Sequence, residues 1–219
     1  MKNAVILFTR VPRPGATKTR LLPVLSPEQC AGLHWAFLKD LARVYEGLEA
    51  DLFVAYTPDP GWERLEDVFP KATGFVPQKG ADLGEKMYRA IRTVLKLGYE
   101  AVVLTGADLP LMEKAHLRSG FAALEEKDIA IGPTMDGGYY LIGMKEPRKT
   151  LFRVEGYGGA TVFENTVTAA RDDGLTVGFA LPCSDVDTPE DLHELMMEAS
   201  PDSHSFRYLQ KLKEEGVAL

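Results

Sequence analysis

The sequence predicts a single α/β layered fold on a largely parallel sheet, and three observations predict it. Short apolar runs rich in β-branched residues, such as Ala4–Phe8 (AVILF) and Ala101–Thr105 (AVVLT), read as strands buried on both faces. They alternate along the chain with stretches whose apolar residues recur at helical spacing. Several of those stretches open on capping signatures, at Ser26-Pro27-Glu28-Gln29, Asp82-Leu83-Gly84-Glu85 and Thr188-Pro189-Glu190-Asp191. Strands alternating with helices give layered α/β architectures. With 219 residues and no repeat, low-complexity tract or linker, residues 1–219 read as one domain.

Taken in order, Ala4–Phe8 is the expected first central strand. The loop after it, TRVPRPGATKTRLLP, is rich in proline and cations. A helix follows from Pro27, with Leu33, Phe37, Leu41, Val44, Tyr45 and Leu48 as its buried face and His34 and Trp35 outside that stripe. Asp51–Thr57 is a second strand, closed by Pro58-Asp59-Pro60-Gly61. A short helix over 62–69 and a weak strand over 73–77 come next. The helix opened by Asp82 carries Leu83, Met87, Ala90, Ile91, Val94 and Leu95 on one face and stops at Gly98. After Ala101–Thr105 the pattern predicts a helix over 113–126, strands over 128–132 and 139–144, and a helix over 160–173. A last strand over 175–181 and helices from Thr188 and over 205–215 complete the chain.

Composition narrows the functions. Hydrophobic and charged fractions of 45% and 26% suit an ordinary globular protein. A formal net charge of −7 argues against general nucleic-acid binding, which needs a basic face. Cys30 and Cys183 lie far apart without CxxC spacing, so a disulfide framework is not expected and a reducing cytoplasm is the natural setting. No apolar span approaches membrane-crossing length, so no membrane partner is expected.

Four groups of residues carry candidate chemistry. Arg10, Arg13, Lys18 and Arg20 cluster between a strand end and a helix start, where the helix dipole disfavours cations unless an anion is near; a phosphate chain would satisfy both. The loop has neither a full Walker A spacing nor a GxGxxG, so a dinucleotide-type glycine loop is disfavoured. Asp108 leaves the central strand through Gly106-Ala107-Asp108-Leu109-Pro110, where ligands of open α/β sheets gather, and it reads either as a turn residue or as a metal ligand. Asp185 and Asp187 project to one side of an extended segment and, with Asp108, supply the hard oxygens that Mg²⁺ or Mn²⁺ takes. Asp136-Gly137-Gly138-Tyr139 reads as a hairpin turn or as an acceptor loop with Asp136 as a base.

These motifs together resemble a known family. Lys18-Thr19-Arg20-Leu21, Asp82 to Met87, Gly106 to Pro110, Gly132-Pro133 through Asp136 to Gly143, and Asp185 to Leu192 resemble the bacterial GT-A-fold glycosyltransferases of the arsenosugar-biosynthesis type, within the nucleotide-diphospho-sugar transferase superfamily. The resemblance implies a three-layer, Rossmann-like mixed sheet that binds a nucleotide on its N-terminal half. It implies a divalent metal, Mg²⁺ or Mn²⁺, held by Asp108 with Asp187 or Asp185. Arg10, Arg13, Lys18, Arg20, Asp82 and Gly106 would meet the nucleotide, and Asp136, Gly137, Gly138 and Tyr139 the acceptor. Asp108, Lys18 and Asp136 are the candidate catalytic residues. Such chains often carry a Trp-Gly/Ser-Thr step where this one has Tyr157-Gly158-Gly159-Ala160-Thr161, so acceptor contacts there are expected to differ. A looser resemblance to molybdopterin and phospholactate guanylyltransferases touches the same Lys/Arg loop. The first expectation is sugar transfer from a nucleotide-sugar to a small acceptor. The second is nucleotidyl transfer from a nucleoside triphosphate to a phosphorylated small molecule, and the third a nucleotide sensor without turnover.

Overall fold

The computed structural model describes residues 2–153, 157 and 159–218. Seven strands form one sheet in the order β3-β2-β1-β4-β6-β5-β7. The strands are β1 Asn3–Thr9, β2 Asp51–Tyr56, β3 Gly74–Pro77, β4 Ala101–Thr105, β5 Ile129–Pro133, β6 Tyr139–Met144 and β7 Val177–Phe179. Only β6 runs against its neighbours, pairing antiparallel with β4 and β5, so the sheet is mixed and mostly parallel as expected. The helices are α1 Pro27–Tyr45, α2 Arg64–Val68, α3 Leu83–Leu95, α4 Lys114–Glu126, α5 Val162–Asp172, α6 Pro189–Glu198 and α7 His204–Glu214.

Alternation along the strands sorts the core into two layers. Val5 and Leu7 of β1, with Ala101 and Val103 of β4, face the side covered by α1, α2 and α4. Ala4 and Ile6, with Val102 and Leu104, face α3 and α5. A third cluster joins Leu33 and Phe37 of α1 to Leu192 and Leu195 of α6 and Leu209 and Leu212 of α7. Each such side chain taken fully out of water contributes about 1.5–3 kcal/mol.

Three local expectations change. His34 is buried although it lies outside the apolar stripe, because α1 is covered by the sheet on one side, by α6 and α7 on another, and by the loop after β1 at its start. The last strand is three residues rather than seven: it pairs only with β5, over Ile129–Ile131, and beyond it the Ala180 and Cys183 amides still donate to the Ile131 and Pro133 carbonyls at 3.0 and 3.2 Å without a regular ladder. At α3, Asp82 caps by accepting from the Glu85 amide at 2.7 Å, but the reciprocal bond goes to Ala81 instead. The other Glu85 oxygen is drawn to Arg89, so a closed capping box forms at Ser26 and Thr188 and not here. Cys30 and Cys183 are both buried and unbonded to each other. Among the described residues, no helix is long and apolar enough to cross a membrane.

Candidate active site

The carboxyl ends of β1 and β4 and the start of β6 meet at one edge of the sheet, where parallel strands expose their ends to ligands. The loop after β1 is fixed there by its own hydrogen bonds. The Arg10 guanidinium donates to the Ala16 carbonyl at 2.7 Å, and the Arg13 amide donates to Thr17 Oγ1 at 3.0 Å. The Val11 amide donates to Thr57 Oγ1 at 3.1 Å and ties the loop to the end of β2. Lys18 then takes a left-handed backbone, φ 52° and ψ 42°, and a 3-10 turn follows at Thr19–Leu21.

That bend turns Lys18 inward. Its side chain is only 2% exposed, and its ammonium donates to Asp108, to the Val186 carbonyl, and to Asp187 Oδ1 at 3.1 Å. Arg20 reaches the other Asp187 oxygen at 3.2 Å. A backbone bond from the Val186 amide to the Asp108 carbonyl, 2.9 Å, joins the two carboxylate-bearing segments. Asp187 is held in turn by Asp191 of α6, whose carboxylate accepts from the Asp187 and Thr188 amides at 2.8 and 2.7 Å.

Electrostatics at this point are strongly coupled. Burial, the largest single influence, would raise the Asp108 carboxyl, but the Lys18 ammonium and His34 together outweigh it and hold Asp108 well below the usual carboxylate range. The Asp108 side chain nevertheless keeps 43% of its surface, because it opens into a cavity. Asp185 moves the other way: burial, followed by the nearby Asp136 and Asp187 carboxylates, pushes its carboxyl up to about 6. Four carboxylates thus stand against the cations of one loop.

Two adjoining cavities meet at this cluster. The larger, of about 580 Å³, is walled by Arg10, Lys18 and Arg20 on one side and by Lys86, Gln78 and Gly106 on the other. The smaller, of about 270 Å³, is bounded by Tyr139, Tyr140, Tyr157 and Val162, with Asp136 and Asp185 at its rim. Asp108 and Gly106 belong to both walls. Each volume suits a small molecule or part of one.

The expected residues divide accordingly. Arg10, Lys18, Arg20, Gly106, Asp108 and Asp187 come together around the larger cavity. Arg13 does not line it; its guanidinium pairs with Asp59 at 3.4 Å. Asp82 is spent as the α3 cap. Asp136 Oδ1 accepts from Thr134 Oγ1 at 2.5 Å and from the Gly138 amide at 3.0 Å, so that oxygen serves the turn while the residue faces the smaller cavity. Gly137 has φ +86° and a Cβ there would sit 2.0 Å from the Ala160 carbonyl oxygen, which explains the glycine. In the segment expected to differ from the related family, Tyr157 and Gly159 line the smaller cavity and Gly158 lies outside the described residues. Among the described residues, no three His, Cys, Asp or Glu side chains converge to hold an ion by themselves.

Sequence reasoning missed three residues here. Thr9 Oγ1 lies 2.9 Å from the Arg10 carbonyl and 3.2 Å from His34 Nε2. Burial holds the His34 ring below its ordinary pKa, and its Nδ1 faces Asp108, 3.5 Å away. Gln78 donates through Nε2 to the Thr9 and Ala55 carbonyls at 2.7 and 3.0 Å, which assigns its amide and leaves the side-chain oxygen for the cavity it lines. No local pattern marks any of these; each reaches the cavity only through where the fold puts it.

A mixed, mostly parallel seven-stranded sheet with flanking helices is the GT-A-like, nucleotide-diphospho-sugar transferase fold. This chain belongs to the family described as uncharacterized protein conserved in bacteria (DUF2064), which matches residues 40–158. A solved structure from Desulfovibrio desulfuricans G20, provisionally described as a nucleotide-diphospho-sugar transferase, is 32% identical, with a TM-score of 0.89 over 98% of this chain and 96% of that one. The 2-phospho-L-lactate guanylyltransferase of Methanothermobacter thermautotrophicus is 28% identical across 97% of this chain and 92% of its own length. The phosphoenolpyruvate guanylyltransferase of Sphaerobacter thermophilus is 28% identical across 87% and 91%. These relatives are transferases, the enzyme class expected from the sequence. The two guanylyltransferases belong with the second expectation, nucleotidyl transfer, rather than with sugar transfer, and neither carries an arsenosugar specificity.

Proposed function

We propose that this protein is a nucleotidyltransferase that joins a nucleoside triphosphate to a phosphorylated small acid and releases pyrophosphate. The observation that carries the reading is the junction at Asp108, where a cation-walled cavity adjoins a smaller aromatic one beside Lys18 and Arg20. A sensor needs one ligand cavity; a transfer reaction needs two that share a wall. By similarity to the guanylyltransferases, the base is guanine and the acceptor a phosphorylated three-carbon acid.

In the reaction an oxygen of the acceptor phosphate attacks the α-phosphorus. A new phosphoanhydride forms, the bond between the α- and β-phosphates breaks, and pyrophosphate leaves with the charge. Cations fixed beforehand around the leaving group stabilise that charge without reorganising. Arg20 and Lys18 are held there by Asp187, and Lys18 also by Asp108, which lines both cavities. Arg10 holds the loop that carries them. Gln78 offers an acceptor oxygen to a donor edge of the base, such as the N1–H and N2 amino group of guanine.

The donor set also fits Mg²⁺ or Mn²⁺ in the mode in which one or two carboxylates share the ion with substrate phosphates. Asp108 and Asp187, with Asp185 beside them, would hold it. When bound, such an ion neutralises phosphate charge.

The test is pyrophosphate release from each of the four common nucleoside triphosphates, with Mg²⁺ and with either 2-phospho-L-lactate or phosphoenolpyruvate. Acceptor-dependent release, greatest with GTP and lost in Asp108→Asn, is expected. Diphosphate release from a GDP-sugar with no pyrophosphate from any triphosphate would restore sugar transfer as the reading. Nucleotide binding without turnover on either panel would leave the sensor.

A further inference from the structure

A separate cavity of about 480 Å³ lies between the end of β3 and the outer face of α3. Its wall carries Lys79, Lys86, Arg89, Arg92, Lys96 and Lys149, with Glu85 as its one acid. Glu85 is already engaged by Arg89 at 2.6 Å. Among the described residues, the remaining five cations form no ion pair within 4 Å. This concentration stands out on a chain whose formal net charge is −7.

Crowding these cations carries a repulsive cost, although the helix dipole favours Arg92 and Lys96 at the carboxyl end of α3. Like charges three or four residues apart on a helix destabilise it by about 0.2–0.5 kcal/mol per pair, and Arg89, Arg92 and Lys96 are so spaced. Lys86 sits in the first turns of α3, where the helix dipole repels a cation. An ordinary solvated basic face would be convex, whereas Val76, Pro77 and Tyr88 give this one walls. Its volume is that of a small-molecule site. Gln78 and Lys86 line both this cavity and the larger one at the candidate active site.

We propose that this cavity is a second anion site, taking a small polyphosphorylated ligand and sharing Lys86 with the nucleotide cavity. The inference stands whichever transfer the main site performs.

Calorimetric titration with inorganic tripolyphosphate at low salt tests it, using wild type, Arg92→Glu/Lys96→Glu and Lys18→Ala. The charge-reversed protein is expected to bind about tenfold more weakly, in proportion to two reversed surface charges, and Lys18→Ala to keep this binding event. Affinity should fall steeply with salt. Both replaced residues are exposed, and Arg92→Gln/Lys96→Gln, expected to lose several-fold, guards against a folding defect. The proposal is overturned if the reversed and neutral variants bind as wild type does, if Lys18→Ala abolishes all binding, or if wild type binds a single-stranded oligonucleotide but no tripolyphosphate.

Discussion

Lys18 is the one non-glycine among the described residues with positive φ. That backbone costs about 1–2 kcal/mol for a residue with a Cβ, and it persists because Val186, Asp187 and Asp108 all hold the ammonium. Strain kept in this way marks positions where geometry matters more than local comfort. Replacing Lys18 by alanine and by glycine separates the two effects. Both should lower pyrophosphate-releasing activity by at least about 100-fold, as loss of a fixed donor at a developing charge does. Urea unfolding should find the glycine variant more stable than the alanine one by about 1 kcal/mol. An alanine variant as stable as the glycine one would remove the strain from the account. Asp185 gives a second prediction. Its carboxyl is raised in the folded protein to about 6, so the folded state binds more protons than the unfolded one between about pH 4 and 6. Stability present below that window is lost as pH rises through it. Asp185→Asn should therefore melt higher than wild type at pH 7.5 in chelator, by about 1–2 kcal/mol after screening, and with little difference at pH 4. Equal melting at both would refute it. That Asp108, Lys18 and Asp187 would sit together was legible in the sequence, since each falls in a loop at the carboxyl edge of a parallel sheet. His34 and Gln78 were not legible, because a histidine beside an apolar stripe and a glutamine after a weak strand acquire their roles only from neighbours distant in the chain.

The elements show where local signals suffice and where they do not. Strand and helix positions followed from periodicity and caps, and the errors fell at ends, where tertiary pairing decides. The 3-10 turn at Thr19–Leu21 left no such signal, because three residues carry no period. α7 illustrates the other limit. Its start has an anchor from outside the element: the buried Asp40 of α1 accepts from the His204 and Ser205 amides at 2.6 and 2.8 Å. A side chain from another helix thus does the work that a local N-cap shares with Ser203. Asp40→Ala should cost about 2 kcal/mol, since it leaves two helix-end donors without a partner. A thermal melt unchanged by that substitution would mean that water replaces the carboxylate. In the β5–β6 hairpin, Gly137→Ala should displace the tip from α5, breaking the 3.0 Å bond from the Phe163 amide to the Gly137 carbonyl. Reduced activity with a native-like circular dichroism spectrum is the expected signature.

For the whole molecule, the sheet supplies an edge and segments far apart in the chain, around Lys18, Asp108 and Asp187, bring the charges to it. A nucleotide that binds only the folded protein, at a hundred times its dissociation constant, adds about 2.7 kcal/mol. In a chain of this size that is a rise of roughly 5–10 °C in melting temperature. GTP with Mg²⁺ should produce it, and Asp108→Asn should reduce it; a rise of equal size in that variant would remove Asp108 from the nucleotide site. The contacts that hold Lys18 have a further consequence. All seven strands precede Ala180, while Val186 and Asp187 arrive with the segment that leads into α6. During synthesis on the ribosome the complete sheet sequence is therefore available before the partners that lock the lysine. A nascent chain paused at that stage would have the sheet sequence and its cationic loop but lack the segment that fixes Lys18 in place.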